Sequence, residues 1–427
     1  MTDRMRRFRL VPPLLAALVV VPAASAAWST ISTVSVTNTM RPGVVRTSMG
    51  AELAAYSDGK GTLKVWSSAS GDHTVAAGLL SVGKPALVQL PSGAVELYAP
   101  ATTAGFAEQG VLRWESTTDG ASWSGPVPSQ STSLGDVQAA AVRPDGTPMF
   151  TQDGTAGVVV FQGLNGELSH TVFGACCGYA ESLAVDTQNY AQLAFWSNAN
   201  PFPSEFVYEG LDASGAQAGP GRAFGQPQTA PRDDDVPLVA DGLGNTFMGW
   251  SGGYPSATSF AVNVFRGGNL VYSTVVAGGT FSGGDPHMAV AADPSNRLWA
   301  VWSQGGAVHA RRSRSAAHHF GAVTLAPLGS VTAYQLAALA LPNGSVAVYI
   351  DTGSSIERTV VQPSLTVHST ASSVAVTDDG VPVKGALTGG GRTVLLVGGR
   401  ANLAPFHRGT RITVSAAGYA PAVFRKR

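Results

Sequence analysis

HMAVAADPSNRLWAVWSQGGAVHARRS, residues 287–313, reads as three consecutive β-strands joined by tight turns. A short apolar run from Met288 meets the turn signal Asp293-Pro294-Ser295-Asn296, a second apolar run ends in Trp302, and after Gly305-Gly306 a third segment alternates apolar and polar residues. Related copies are VVRTSMGAELAAYSD (44–58), ALVQLPSGAVELYAP (86–100), AAAVRPDGTPMFTQD (139–153), SLAVDTQNYAQLAFWSN (182–198), PLVADGLGNTFMGWSG (237–252) and LAALALPNGSVAVYID (336–351). The aromatics closing the second strands, Tyr56, Tyr98, Phe150, Trp196, Trp250, Trp302 and Tyr349, recur every 42 to 54 residues or so. That period is the length of one blade of a β-propeller.

A sheet of this kind cannot shield both of its faces alone, so the units must stack around an axis and share their cores. The reading is therefore an all-β chain: a β-propeller of about seven four-stranded blades, with six as the alternative that leaves one unit unexplained. The aromatics then serve packing between blades rather than ligand binding. Closing the ring requires both ends of the chain, because an unsealed last blade leaves an edge exposed. ISTVSVT (31–37) belongs to no unit, and is expected to supply the outer strand of the last blade beside SIERTVVQ (355–362).

The N-terminus predicts export from the cytoplasm. Arg4, Arg6, Arg7 and Arg9 precede an apolar run of about a dozen residues and the small triplet Ala24-Ser25-Ala26, the order of a cleaved secretory signal over 1–26. The run is too short to span a bilayer, and no later segment supplies a membrane span. Removing it takes four Arg and Asp3 from a chain of net charge +0, leaving about −3, which disfavours a nucleic-acid partner. The propeller occupies 27–363.

After Pro363 the pattern changes to SVAVTDDGVPVKGALT, TVLLVGGRANLAPF and GTRITVSAAGYAPAVF, short alternating strands with Gly-rich turns that predict a small β-sandwich over 364–427. The motifs at Gly380–Ala386, Gly399–Leu403 and Ala417–Pro421 resemble those of carboxypeptidase-regulatory-like and bacterial Ig-like modules. That resemblance implies a spacing, stabilising or attachment role.

In the propeller, TTDGASW (117–123) resembles the Asp-box of sialidase-like propellers, a folding motif between the third and fourth strands of a blade, and RSRSAAHHFG is a weaker echo without the Asp. Met40-Arg41-Pro42 lies where that family carries its first catalytic arginine, but neither the aromatic nor the Ile of the F/Y-R-I-P motif is present. Arg41 is accordingly read as a surface or strand-end residue, His318-His319 as solvated on the opposite face, and no residue as catalytic.

Cys176-Cys177 are the two cysteines of the chain. In an oxidising compartment adjacent thiols close a ring, remain free, or bridge molecules. A ring across one trans peptide holds its Cα atoms about 3.8 Å apart, below the usual disulfide range, and closes almost no loop. Global stability is thus a poor reason for the pair, and a rigid apolar knob is the better one. Cys176, Cys177, Tyr179 and Glu181 precede the innermost strand of the fourth unit, Arg232 with Asp233-Asp234-Asp235 that of the fifth, Asp285 and His287 that of the sixth, and Asp136 and Gln138 that of the third. These approaches open on one face around the channel, so they are expected to converge.

An apolar knob, a tyrosine and several carboxylates suit a polyol such as a sugar. Clustered Asp oxygens suit Ca²⁺ equally, and the bland alternative is a solvated acidic loop. Two functions follow: an exported, non-catalytic propeller that binds a glycan or other extracellular polymer at the channel mouth, or a sialidase-like glycoside hydrolase or lyase using Asp233, Asp235, Asp285 or Glu181. No HExxH, phosphate-binding Gly-rich loop or metal-spaced Cys/His set is present.

Overall fold

A computed structural model describes residues 29–32, 41–58, 60–154, 157–173, 178–199, 202–219, 221–224, 236–253, 257–281, 287–314, 317–326, 333–378 and 380–427. Seven antiparallel sheets follow one another along the chain, and two further sheets form the C-terminal module. From the axis outward, blade 6 runs Met288–Ala292, Leu298–Gln304, Ala307–Arg312 and Thr324–Leu325, and the other blades repeat this order. Blade 2 departs from it. Its innermost position is shared by Ser81–Val82 and Ala86–Gln89, both paired to Val95–Thr102 and separated by Gly83-Lys84-Pro85.

Burial explains the sequence pattern. The second strands are covered on both faces, so Val95–Thr102 and Val346–Asp351 are buried throughout and read as continuous apolar runs. Third strands such as Leu63–Ser67 alternate, and the outer strand Ser124–Pro128 is exposed along its length.

The turn between first and second strands is one structure made seven times. The N–H of Thr47, Leu90, Arg143, Asp186, Asp241, Asp293 and Leu341 donates to the carbonyl four residues on, at 2.8 to 3.0 Å. The fourth residue of each turn is left-handed: Gly50, Gly93, Gly146, Asn189, Gly244, Asn296 and Gly344. Gly and Asn stand there because the left-handed region penalises most side chains, while Gly has no Cβ and the short Asn amide can bond locally.

Seven apolar clusters each join two neighbouring blades, including one that joins blade 7 to blade 1 through Tyr349, Ala347, Ala54 and Tyr56. The sheets therefore close into a ring. The repeated aromatics lie in these clusters: Tyr98 stacks on Phe150 at 4.7 Å, Trp302 packs on Phe260 at 6.2 Å, and Trp250 on Phe206 at 6.5 Å. Closure uses both chain ends, since Ser29–Ser32 pairs with Ile356–Val361 as the outer strand of blade 7. That strand starts earlier than expected from the sequence; Ile31 is in it, and 33–37 lie outside the described residues.

In the C-terminal module, Thr366–Ser369, Ser373–Asp378, Val381–Pro382 and Arg400–Asn402 form one sheet. Ala386–Gly389, Arg392–Leu395, Arg411–Ser415 and Ala422–Arg425 form the other, over a core containing Val376, Leu387, Leu403, Phe406, Ile412 and Val414. The module is docked, not merely tethered. Asp378 takes Arg297 at 2.8 Å and Arg312 at 2.7 Å, Arg312 also grips Asp293, and the Ser345 hydroxyl donates to the Gly418 carbonyl at 3.3 Å. These propeller residues lie in or beside the first-to-second-strand turns, so the module covers the face opposite the inter-blade approaches.

The Asp-box-like turn lies between Gln109–Ser116 and Ser124–Pro128, as expected, and its Trp123 packs partly buried against the blade 1–2 core. The pinning hydroxyl is that of Ser116, which accepts from Gly120 N at 3.0 Å, while Trp123 Nε1 donates to the Gly120 carbonyl at 3.0 Å. His318 is exposed, as read from the sequence, but is not merely solvated: its ring stacks on Tyr272 of blade 5 at 3.8 Å.

Candidate functional site

The opposite face carries the channel mouth, where blade-to-blade crossings and second-to-third-strand hairpins open. Tyr179 and Glu181 lie within the innermost strand Gly178–Val185 rather than before it. A register shift falls between Tyr179 and Ser182, and Ala180 is left-handed with φ 59°. Such a bulge redirects side chains. Tyr179 stacks on Trp196 at 5.8 Å, and Glu181 is 0% exposed, so its carboxylate is buried rather than on the open surface.

Arg41 is more than a strand-end residue. Its Nη1 donates to the Ser182 hydroxyl at 3.2 Å. In a seven-membered ring blades 1 and 4 are not neighbours, so the arginine must reach across the channel. The guanidinium thereby stands inside the mouth as a fixed donor.

Beside it, the seam of blades 2 and 3 holds a polar cluster. Lys84 Nζ donates to Gln138 Oε1 at 2.6 Å, Lys84 N donates to Asp136 Oδ1 at 2.9 Å, and Gln138 Nε2 donates to Asp153 Oδ2 at 3.3 Å. The cramped backbone here is part of the site: a Cβ on Gly83 would lie 2.3 Å from Asp136 Oδ1. Burial, and then the like charge of Asp136, push the Asp153 carboxyl up to about 6, with Gln138 and Lys84 opposing the shift. Asp153 and Lys84 were not singled out in the sequence. Both become visible only once the second-strand end and the interrupted first strand are brought to one seam.

His287 is half-buried directly before Met288–Ala292, where its N–H donates to the Ser303 hydroxyl at 3.2 Å. Cys176, Cys177, Arg232, Asp233, Asp235 and Asp285 lie outside the described residues. Among the described residues no group of three or more His, Cys, Asp and Glu has the arrangement of a metal site. Nor is any helix among them long and apolar enough to cross a membrane.

No family model matches the chain, and no curated protein matches it. Among solved structures, the WD40 domain of Toxoplasma gondii coronin is similar with a TM-score of 0.51 at 12% identity, over 78% of this chain and 83% of that one. A Penicillium chrysogenum alpha-L-arabinanase gives a TM-score of 0.43 at 12% identity over 78% of this chain and 98% of its own. The intramolecular trans-sialidase of Ruminococcus gnavus gives 0.47 at 7% identity over 65% and 93%. At 12% identity the coronin likeness is one of fold, and with the closed ring of seven sheets it makes this chain a β-propeller.

Proposed function

We propose that the protein is exported, loses residues 1–26, and binds an extracellular glycan or similar polyhydroxylated polymer at the channel mouth without transforming it. The observation that carries this reading is the Arg41–Ser182 bond across the channel, which sets a guanidinium within the mouth. A sugar needs donors and acceptors set around a concave surface. Arg41 and Gln138 supply donors, Asp136, Asp153 and Gln138 supply acceptors, and Tyr179 and His287 add ring surface on the same face. Cys176, Cys177, Arg232, Asp233, Asp235 and Asp285 are assigned to the same mouth by their positions in the repeat. Their carboxylates are also the place for Ca²⁺ if the ligand is held through a cation.

The test is a glycan array probed with wild type, Arg41→Ala and an Asp233/Asp235 double alanine variant. Selective binding by wild type that Arg41→Ala weakens at least tenfold supports the reading, and binding identical in all three removes these residues from the site. One observation favours hydrolysis instead: burial, and then the charge of Asp136, raise the Asp153 carboxyl to about 6, a value that suits a general acid. Release of reducing ends from an array-positive glycan, abolished by Asp153→Asn, would replace the binding reading with the enzymatic one.

A further inference from the structure

We propose that the rim above the seam of blades 2 and 3 is a subsite for one sugar ring of that glycan, with Phe106 as the stacking face and Asp136, Gln138 and Asp153 as hydroxyl partners. The inference rests on the glycan reading above and locates it.

Phe106 stands at the tip of the hairpin joining Val95–Thr102 to Gln109–Ser116, on the mouth side. It follows left-handed Gly105 and is itself left-handed, with φ 57°, the one aromatic in that region among the described residues. A bulky side chain there costs about 1–3 kcal/mol, and such residues persist where the surroundings impose them. No packing repays the cost, because the side chain is 71% exposed. The tip is nevertheless held firmly: Thr103 N donates to Glu108 O at 3.0 Å, Phe106 N to Thr103 O at 3.1 Å, and Glu108 N to Thr103 Oγ1 at 2.9 Å. A strained, fixed and uncovered aromatic is what a stacking platform requires, since the ordering cost is met before the ligand arrives.

Two neighbours extend the apolar rim. Leu80, 54% exposed, donates its N–H to the Thr102 carbonyl at the base of this hairpin at 2.8 Å. On the other side the crossing to blade 3 passes along the third strand, where Val111 N donates to Ser131 O at 3.0 Å, and then presents Leu134, 43% exposed. That same crossing ends in Asp136, whose Oδ1 accepts from Lys84 N of blade 2, and leads into Gln138 and Asp153. An apolar ledge and a set of amide and carboxylate groups thus meet along one seam. A pyranose ring has this division of character, with a C–H face that stacks on an aromatic and an edge of hydroxyls that need paired acceptors and donors. A purely apolar ligand would leave the carboxylates desolvated, and a bare cation has no use for Phe106.

The test uses isothermal titration of the full chain with four named probes: cellohexaose, xylohexaose, mannohexaose and N-acetylchitohexaose. For a hexaose that wild type binds, we expect Phe106→Gly to weaken affinity about tenfold or more, Phe106→Trp to retain it, and Gln138→Ala to weaken it severalfold. Glycine accepts the left-handed backbone, so the Phe106→Gly protein keeps its melting temperature and the loss reports on binding. If Phe106→Gly and Gln138→Ala bind as wild type does while Arg41→Ala does not, the glycan reading stands and this subsite is wrong. Wild type that binds none of the four removes the subsite, and a silent glycan array removes the parent reading with it.

Discussion

Arg358, on the third strand of blade 7, lays its guanidinium onto the carboxylate of Glu52 in blade 1 at 2.7 and 2.8 Å, and the Tyr349 hydroxyl donates to the same carboxylate at 2.7 Å. This charge pair bridges the junction where the first and last blades meet, next to the apolar cluster of Tyr56, Ile31 and Ile356. Each partner is largely buried, so removing one strands the other in a poor solvent for charge. We expect Glu52→Ala to cost about 3–5 kcal/mol in chemical denaturation. Replacing both partners by apolar residues, Glu52→Leu with Arg358→Met, should cost markedly less. Equal losses for the single and double variants would show that the pair does not act as a ring closure.

Asp378 joins the C-terminal sheets to the propeller. Burial alone would raise its carboxyl, but the Tyr419 hydroxyl bond, with Arg312 and Arg297, outweighs burial and holds it below the usual carboxylate range. A depressed folded value means that its contribution is present above the unfolded pKa, near 4, and is lost as pH falls through the folded value. Docking should therefore hold at neutral pH and fail in acid. We expect Asp378→Asn to undock the module at pH 7, read by limited proteolysis within residues 361–366 that yields an intact propeller, with wild type cleaved there only below about pH 4. Equal resistance of variant and wild type across that range would place the docking energy elsewhere.

The ring was legible because its physics is repetitive. Trp302, Trp250 and Tyr98 stand out at a fixed place in a recurring pattern, and a strand buried on both faces leaves the continuous apolar signature seen in Val95–Thr102. Ile31 could be assigned to blade 7 by elimination, since a ring has no free edge. The mouth was less legible. Nothing in Met40-Arg41-Pro42 states how far a side chain must reach, and the partner Ser182 is 141 residues away. Arg312 and Asp378 belong to different sheets 66 residues apart, and no periodicity relates them. Nothing in the sequence marks Asp153, which gains its neighbours Asp136 and Gln138 only where blades 2 and 3 meet.

Glu209 adds a liability that the pattern also hid. It lies on the third strand of blade 4, is 2% exposed, and its Oε2 has no hydrogen-bond partner among the described residues. Burial pushes its carboxyl up to about 8. The fold thus favours the protonated form, so stability is greatest below the unfolded value near 4.5 and is lost as pH rises toward 8. We expect Glu209→Gln to raise the melting temperature at pH 8, by an amount corresponding to a few kcal/mol at most, and to have little effect at pH 4.5. A pH-independent difference between the two proteins would mean that Glu209 stays ionised in the fold.

The vicinal cysteines yield to a direct measurement. If Cys176 and Cys177 are joined to each other, reduction of the purified protein adds two hydrogens, about 2 Da, to the monomer. If they bridge two chains, reduction halves the mass, and if they are free, native alkylation labels both. We expect the first outcome, because the pair stands directly before Gly178–Val185, the innermost strand that turns Ser182 toward Arg41. A cross-link there closes no loop worth stabilising, so Cys176→Ser with Cys177→Ser should leave the melting temperature within about 2 °C while weakening glycan binding. A double variant that loses several degrees yet binds normally would make the pair structural and take it out of the mouth.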